Sequence, residues 1–351
     1  MLAPVTQVSP LVTLRRRRAL PMRGRVLVRA GQEVAATDIV AEANLRPEHV
    51  VLDIARGLSL PNRKIGEYVQ RHIGEDVSQG DALASRRGLG TRVVRAPANG
   101  RVVAISGGAM MLEVNNKPHR MKARIPGTIE QIEADLGVVI QNVGAWVQGA
   151  WGNGPVAEGP LHVLGKDTRH LLNKDEITVD LRGAVVLAGH CGSRETLEMA
   201  ATSQVGGLVL GSLATQLLPM ARRMPYPLVV LEGFGRRPMN QAAFTLLSTN
   251  SEREVTINAE VFDRYKGTRP EIIIPLPAMG ETPPPMSVTH FAPGQRVRIV
   301  RAPHSSEVGR IYALMEQAPT FPSGLRLDSA QIEFEDGEMA VVPLANIEVL
   351  G

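Results

Sequence analysis

AVVLAGHCGSRETLEMAATSQVGGLVLGSL, residues 184–213, holds two apolar runs of strand length on either side of a segment whose apolar residues recur at helical spacing. The unit reads as strand, helix, strand. It continues downstream through LATQLLPMARRM (213–224), PLVVLEG (227–233), RPMNQAAFTLLSTN (237–250) and EVTINAE (254–260). Strands alternating with amphipathic helices predict a parallel sheet with right-handed crossovers, since each helix returns the chain to the same end of the sheet. A Rossmann-like α/β parallel-sheet domain is therefore expected over residues 178–277.

Ligands of open α/β sheets bind outside the carboxyl ends of the strands, where chain order reverses. Three such ends are legible: Gly189-His190-Cys191-Gly192-Ser193, Gly211-Ser212 and Glu232-Gly233-Phe234-Gly235. The candidate ligand-binding residues are thus His190, Cys191, Ser193, Ser212 and Glu232. Ser193 suits a helix N-cap with Glu195 and Thr196 in the first turn, and the free amides there would attract an anion or lower the pKa of a nearby thiol. The alternative for Cys191 is a small apolar residue beneath the loop. Glu232 reads equally as a base, as a ribose ligand or as an acceptor for loop amides. Arg236, Arg237, Lys266 and Arg269 read as solvated face.

Several chemistries are excluded. GHCGS fits neither G-x-G-x-x-G nor the P-loop pattern, so no nucleotide cofactor is expected. One cysteine cannot supply a disulfide framework, an iron–sulfur cluster or an all-cysteine zinc site. The eight histidines stand singly, without H-x-x-H spacing, so no metal is expected either. No catalytic residue is assigned.

Upstream, residues 24–170 carry short apolar stretches punctuated by Gly and Pro at 25–28, 93–96, 101–105, 111–114, 128–132 and 137–141, an all-β pattern. Within it, IGEDVSQGDALASRRGLGTRVVRAPANGRVVAIS (73–106) orders Gly74, Val77, Gly80, Asp81, Leu83, Val94, Ala96, Pro97, Gly100 and Val102 so that glycines turn the chain and apolar residues alternate. A second copy follows at 123–149, through Ile125, Pro126, Gly127, Ile129, Val138, Gly144 and Val147. A third half-copy occupies 24–43.

The 74–105 segment resembles the barrel-sandwich hybrid of biotinyl and lipoyl carrier domains. In its longer form it is similar to the domain of that type in the C subunit of Rnf electron-transport complexes and the A subunit of sodium-pumping quinone reductases. In carriers, the resemblance implies, a lysine at the hairpin tip receives the prosthetic group. Here the tip reads Ser85-Arg86-Arg87-Gly88-Leu89-Gly90, and a guanidinium is no substitute for the acylated amine. Carrier chemistry is not expected, and a docking or structural use of the hybrid barrel is.

Beyond a Pro-rich linker at 278–287, GQRVRIVRAPHSSEVGRI (294–311) resembles the KOW motif, with Val297, Ile299 and Ile311 alternating and Gly309 read as a turn glycine before the second strand. With the hairpin at Asp336-Gly337 it implies a small SH3-like β-barrel over 288–351. Many such barrels bind RNA. From residue 287 onward, however, 5 Arg face 8 Asp and Glu, a net charge of minus 3, and phosphate contacts need cations. An acidic barrel presenting Phe291, Tyr312 and Phe321 is expected to dock on protein.

The whole-chain charge of +4 is an average over unlike parts: residues 1–125 hold 21 Lys and Arg against 10 Asp and Glu, the rest 18 against 25. Residues 1–23 read as a basic N-terminal tail with Arg15, Arg16, Arg17 and Arg18 as a candidate nucleic-acid arm. No signal-peptide core follows them, and the longest apolar runs fall short of the roughly 18 residues of a membrane span. The expected fold is a multidomain α+β chain of hybrid barrel, parallel-sheet domain and SH3-like barrel. Its expected role is that of a cytoplasmic, non-enzymatic assembly or regulatory protein with a protein partner, with no membrane association and with room for a small ligand in the α/β domain. Two alternatives stand beside it: an enzyme or enzyme subunit using the strand-end loops, and a nucleic-acid-binding factor using the basic N-terminal region. Trp146 and Trp151 are expected at a packed junction.

Overall fold

The computed structural model describes the chain apart from residues 1, 4, 45–47, 88–89, 115–117, 264–266, 278–281, 283–284, 286–288 and 306, and apart from the side chains of Leu2 and Thr289. The hairpin tip at Gly88 and Leu89, Lys266 and most of the Pro-rich linker therefore lie outside the described residues. The chain is mostly β, in several sheets. It forms two compact units: Met1–Ala19, Leu27–Val40 and Lys122–Gly351 make the first, Leu20–Val26 and Ala41–Met121 the second. No described helix is long and apolar enough to cross a membrane.

The first unit is built on an eleven-stranded sheet. Val156–Val163, Val185–Cys191, Gly207–Leu213 and Leu228–Val230 lie side by side and parallel. They bury both faces, because one set of side chains (Val186, Ala188, Leu208, Leu210, Val230) joins one core cluster and the alternate set (Val185, Leu187, Val209, Val229) joins another. Residues with this double burial read as continuous apolar runs, which is why 184–213 was legible. Each fully buried Leu or Val contributes about 1.5–3 kcal/mol. The helix Arg194–Thr202 packs Leu197 and Ala200 on the first cluster, and Gln241–Ser248 packs Ala243 and Leu247 on the second. The helix expected over 213–224 is shorter, a 3-10 turn at Thr215–Leu217 followed by Leu218–Ala221, with Pro219 at its start.

The parallel strands differ from expectation in two respects. Glu254–Asn258 runs antiparallel, against Val156–Val163. The four parallel strands also follow one another in chain order across the sheet, so no reversal between adjacent parallel strands opens the crevice in which α/β folds hold ligands.

The long strand Gly137–Gln148 explains why the second repeat copy sits in the first unit. Along one edge its first half pairs with Gly127–Glu133 and its second half with Glu271–Pro275. Its other edge is covered by Val8–Ala19, in register from Val8↔Val147 to Ala19↔Gly137. The expected tail is thus corrected: residues 8–19 are a twelve-residue sheet strand, with Val12 and Leu14 buried. Trp146 is buried in Gly137–Gln148, whereas Trp151 meets Phe234 edge-on at 5.8 Å.

The C-terminal strands form a six-stranded sheet in the order Val5–Thr6, Ile347–Leu350, Arg296–Ile299, Val308–Leu314, Ser329–Phe334, Met339–Pro343. No pairing among the described residues closes it into a barrel. Its core holds Val297, Ile299, Ile311, Ile332 and Val349 with Phe291, and Val5–Thr6 joins it from the other end of the chain, parallel to Ile347–Leu350. Gly337 takes φ +83° in the expected hairpin. Gly309 is not a turn residue: it lies inside Val308–Leu314, where a Cβ would stand 2.6 Å from the Glu333 carbonyl oxygen.

The second unit contains the sheet Glu48–Asp53, Ala109–Val114, Gly100–Ser106, Asp76–Val77 and the two-stranded ladder Ala82–Arg87/Thr91–Arg95. The helix Ile54–Leu58, capped by the Asp53 carboxylate accepting from the Arg56 amide, packs into a core with Leu83, Val102, Met110 and Leu112. Gly74 and Gly80, both expected as turn glycines, each have φ +91°.

Candidate functional site

The strand ends bring some of the candidate residues together and separate others. His190 and Ser212 face each other across adjacent parallel strands, with His190 Nδ1 3.0 Å from Ser212 Oγ. Ser212 Oγ donates to the Arg237 carbonyl at 2.7 Å and accepts from the Arg237 amide at 3.1 Å, so its hydroxyl fastens the loop after the next strand. Burial and the nearby charge of Arg236 lower the His190 pKa. A neutral imidazole here orients Ser212.

Cys191 is fully buried, packed with Leu197, Leu213 and Tyr226. Its thiol lies 3.7 Å from the Ser193 carbonyl oxygen, and burial pushes its pKa up to about 11. That is the condition of a structural thiol, since nucleophilic and metal-binding cysteines need a thiolate stabilised by cations or amides. Ser193 does sit at the N-cap of Arg194–Thr202, but its hydroxyl makes no capping bond. It donates to Glu195 at 2.6 Å instead, because the Glu195 carboxylate is the stronger acceptor within reach.

Glu232 stands apart from these residues. Its side chain is 4% exposed; Oε1 accepts the Asn240 amide at 2.9 Å and Oε2 accepts Arg298 Nη1 at 2.6 Å. The other arm of Arg298 bonds Glu348, so one buried guanidinium joins two carboxylates from different segments. Burial raises the Glu232 pKa against the pull of Arg298 and the Asn240 amide, with the Glu348 charge adding to the rise. Of the three expected readings of Glu232, acceptor of loop amides describes its contacts. Arg298 and Asn240 were missed. Arg298 lies between Val297 and Ile299 in a strand and reads as solvent-facing, and Asn240, which caps Gln241–Ser248 through Ala242 and Ala243, carried only an ordinary N-cap signal. The Arg237 guanidinium also reaches the Val300 carbonyl, at 3.5 Å.

A second polar cluster surrounds the basic strand. Arg15 pairs with Glu130 at 2.9 Å and Arg17 makes a two-pronged pair with Glu133 at 2.6 Å. On the opposite face Arg16 meets Glu271 at 3.0 Å and lies over the Trp146 ring at 4.9 Å, while Arg18 is 3.8 Å from Glu260. Glu271 also accepts from Trp146 Nε1 at 2.8 Å and from Asn258, which accepts in turn from Arg124. Every arginine proposed for a nucleic-acid arm therefore meets a carboxylate of its own chain.

Two surface clefts, of about 390 and 530 Å³, are lined by Arg296, Arg310 and Glu333 and by Arg194, Gln216 and Arg223 respectively; neither is lined by a candidate residue. Among the described residues no group of three or more His, Cys, Asp or Glu is placed to hold a metal ion. No family model matches the chain, and a comparison with curated proteins returns no match.

Proposed function

We propose that this chain is a non-enzymatic assembly protein that docks protein partners through its β modules. In this reading the second unit is the barrel-sandwich hybrid and the C-terminal sheet the SH3-like module, and the parallel-sheet region is the frame between chain termini. One observation carries it: Arg298, from the C-terminal sheet, is bonded to Glu232 at the strand ends where an α/β enzyme would open its site. With Cys191 buried as a thiol and Ser212 tied to the Arg237 backbone, the side chains that would perform chemistry are engaged in holding loops. In the same proposal the small-ligand site of the α/β domain lies at His190 and Ser212.

The docking edge is Met339–Pro343, the last strand of its sheet. The Phe334–Glu338 and Leu344–Asp328 backbone bonds set an alternation in which Ala340 and Val342 bond inward, so the main-chain groups of Met339 and Val341 point away from the sheet. Their side chains are exposed, Val341 at 43%. An extended segment of a partner would add here as a further strand, with backbone bonds for affinity and apolar contacts for selection. The test is affinity capture from the source cells with the wild-type chain and with Val341→Lys, a change at an exposed position that is expected to leave the fold intact. A discrete protein retained by the wild type and lost by the variant supports the reading; an identical retained set contradicts it.

A further inference from the structure

We infer that the second unit carries a binding site for the phosphate backbone of duplex nucleic acid, formed by Arg56, Arg63, Lys64, Arg86 and Arg92 around the Leu58–Ser59 turn. This unit holds 14 Lys and Arg against 8 Asp and Glu, a net charge of +6, while the remainder of the chain is negative. Its cations are not equivalent. Arg71 is neutralised by Glu75 and Asp81, and Arg101 by Asp76. None of the five around the turn forms an ion pair among the described residues.

Their placement is built rather than incidental. Arg86 and Arg92 are directly opposite each other in the Ala82–Arg87/Thr91–Arg95 ladder, a like-charge pair that would weaken an isolated hairpin. Both are drawn to the end of the helix Ile54–Leu58: Arg86 donates to the carbonyls of Leu58 at 3.2 Å and Ser59 at 3.1 Å, and Arg92 donates to the Ser59 hydroxyl. Helix C-terminal carbonyls carry partial negative charge, so they hold the two guanidiniums without cancelling them. Arg56 extends from the last turn of the same helix, and Arg63 and Lys64 from the 3-10 turn Asn62–Glu67 that follows; all three are exposed.

One feature selects the duplex. The unit's one Phe, Tyr or Trp residue, Tyr68, is half-buried against its core, so it presents no large aromatic side chain for the base stacking that single strands use. A cluster of cations without aromatics contacts phosphates, and its binding depends on salt through counterion release.

The full-length chain is titrated against a 20-base-pair duplex, a single strand of equal length, poly-glutamate and anionic lipid vesicles, from 50 to 200 mM salt. The expected result is tightest binding to the duplex, with a log–log salt slope of about −4.5, since each of the five neutralised phosphates contributes about −0.9. Arg63→Ala with Lys64→Ala is expected to weaken duplex binding about tenfold or more and to lower the slope by about 2, whereas Arg23→Ala with Arg120→Ala, exposed in the same unit, leaves binding within about twofold. Absence of duplex binding at 50 mM salt, equal losses in the two double variants, or tighter binding to any other probe overturns the inference. Circular dichroism of each variant separates loss of contact from loss of fold.

Discussion

Arg298 donates to Glu232 at 2.6 Å across 66 residues of sequence, joining the C-terminal sheet to the loop that follows the last parallel strand. Both side chains are almost fully buried, so the pair is sensitive to loss of either partner. Removing Arg298 leaves Glu232 buried and uncompensated, at a cost of about 3–5 kcal/mol, whereas removing Glu232 leaves Arg298 its second carboxylate, Glu348, and costs less. Arg298→Ala is expected to lower stability by that amount in urea denaturation and Glu232→Ala by less, with the double variant losing less than their sum. Additive effects would show that the two residues do not interact.

Cys191 should behave as an inert thiol. With its pKa near 11 rather than 9.0, the thiolate fraction at pH 8 is about a hundredfold below that of an ordinary cysteine, before access is considered. Because the folded-state pKa is raised, the stability associated with the neutral thiol is present below about pH 9 and is lost as the pH climbs toward 11. Iodoacetamide labelling at pH 8, followed by mass spectrometry, should be slow in the native chain and rapid in urea. Fast native labelling would favour the enzyme alternative.

His190 titrates in the other direction. Its folded-state pKa is lowered, so the unfolded chain takes up a proton first; the stability from the neutral ring is present above about pH 6.5 and is lost as the pH falls below it. Proton NMR of the imidazole should give a midpoint below 6.5, and His190→Asn should flatten the fall in stability between pH 6.5 and 5. A midpoint at or above 6.5 contradicts the burial described for this ring.

Leu14 tests whether the N-terminal strand belongs to the core. It is fully buried opposite Asn142, and Leu14→Ala is expected to cost about 2–5 kcal/mol. Arg17→Gln, which removes only an exposed ion pair with Glu133, should leave the denaturation midpoint unchanged. Equal tolerance of both would mean that residues 8–19 are a tail after all.

Legibility followed the range of the interactions. The strands at 185–191 and 207–213 announce themselves because burial on both faces leaves an unbroken apolar run. The strand Val8–Ala19 does not, since four consecutive arginines mask the alternation of Val12 and Leu14, and the carboxylates that accept those arginines lie more than a hundred residues away, at Glu130, Glu133, Glu260 and Glu271. At the candidate site, His190 and Ser212 follow from the expected strand ends, because both fall at the carboxyl ends of successive strands of one strand–helix–strand unit. Arg298 was out of reach: nothing in Arg296–Ile299 distinguishes an arginine bound for a buried carboxylate from one facing water. The turn role given to Gly309 failed for a related reason, as close approach of Glu333 is a tertiary constraint.

Amide hydrogen exchange on the complex with the partner retained by the wild-type chain tests the docking account most directly. The account predicts new protection at the Met339 and Val341 amides, with exchange at His190, Cys191 and Ser212 unchanged. Protection confined to the His190–Ser193 and Gly211–Ser212 loops, with Met339 and Val341 still exchanging freely, would contradict it.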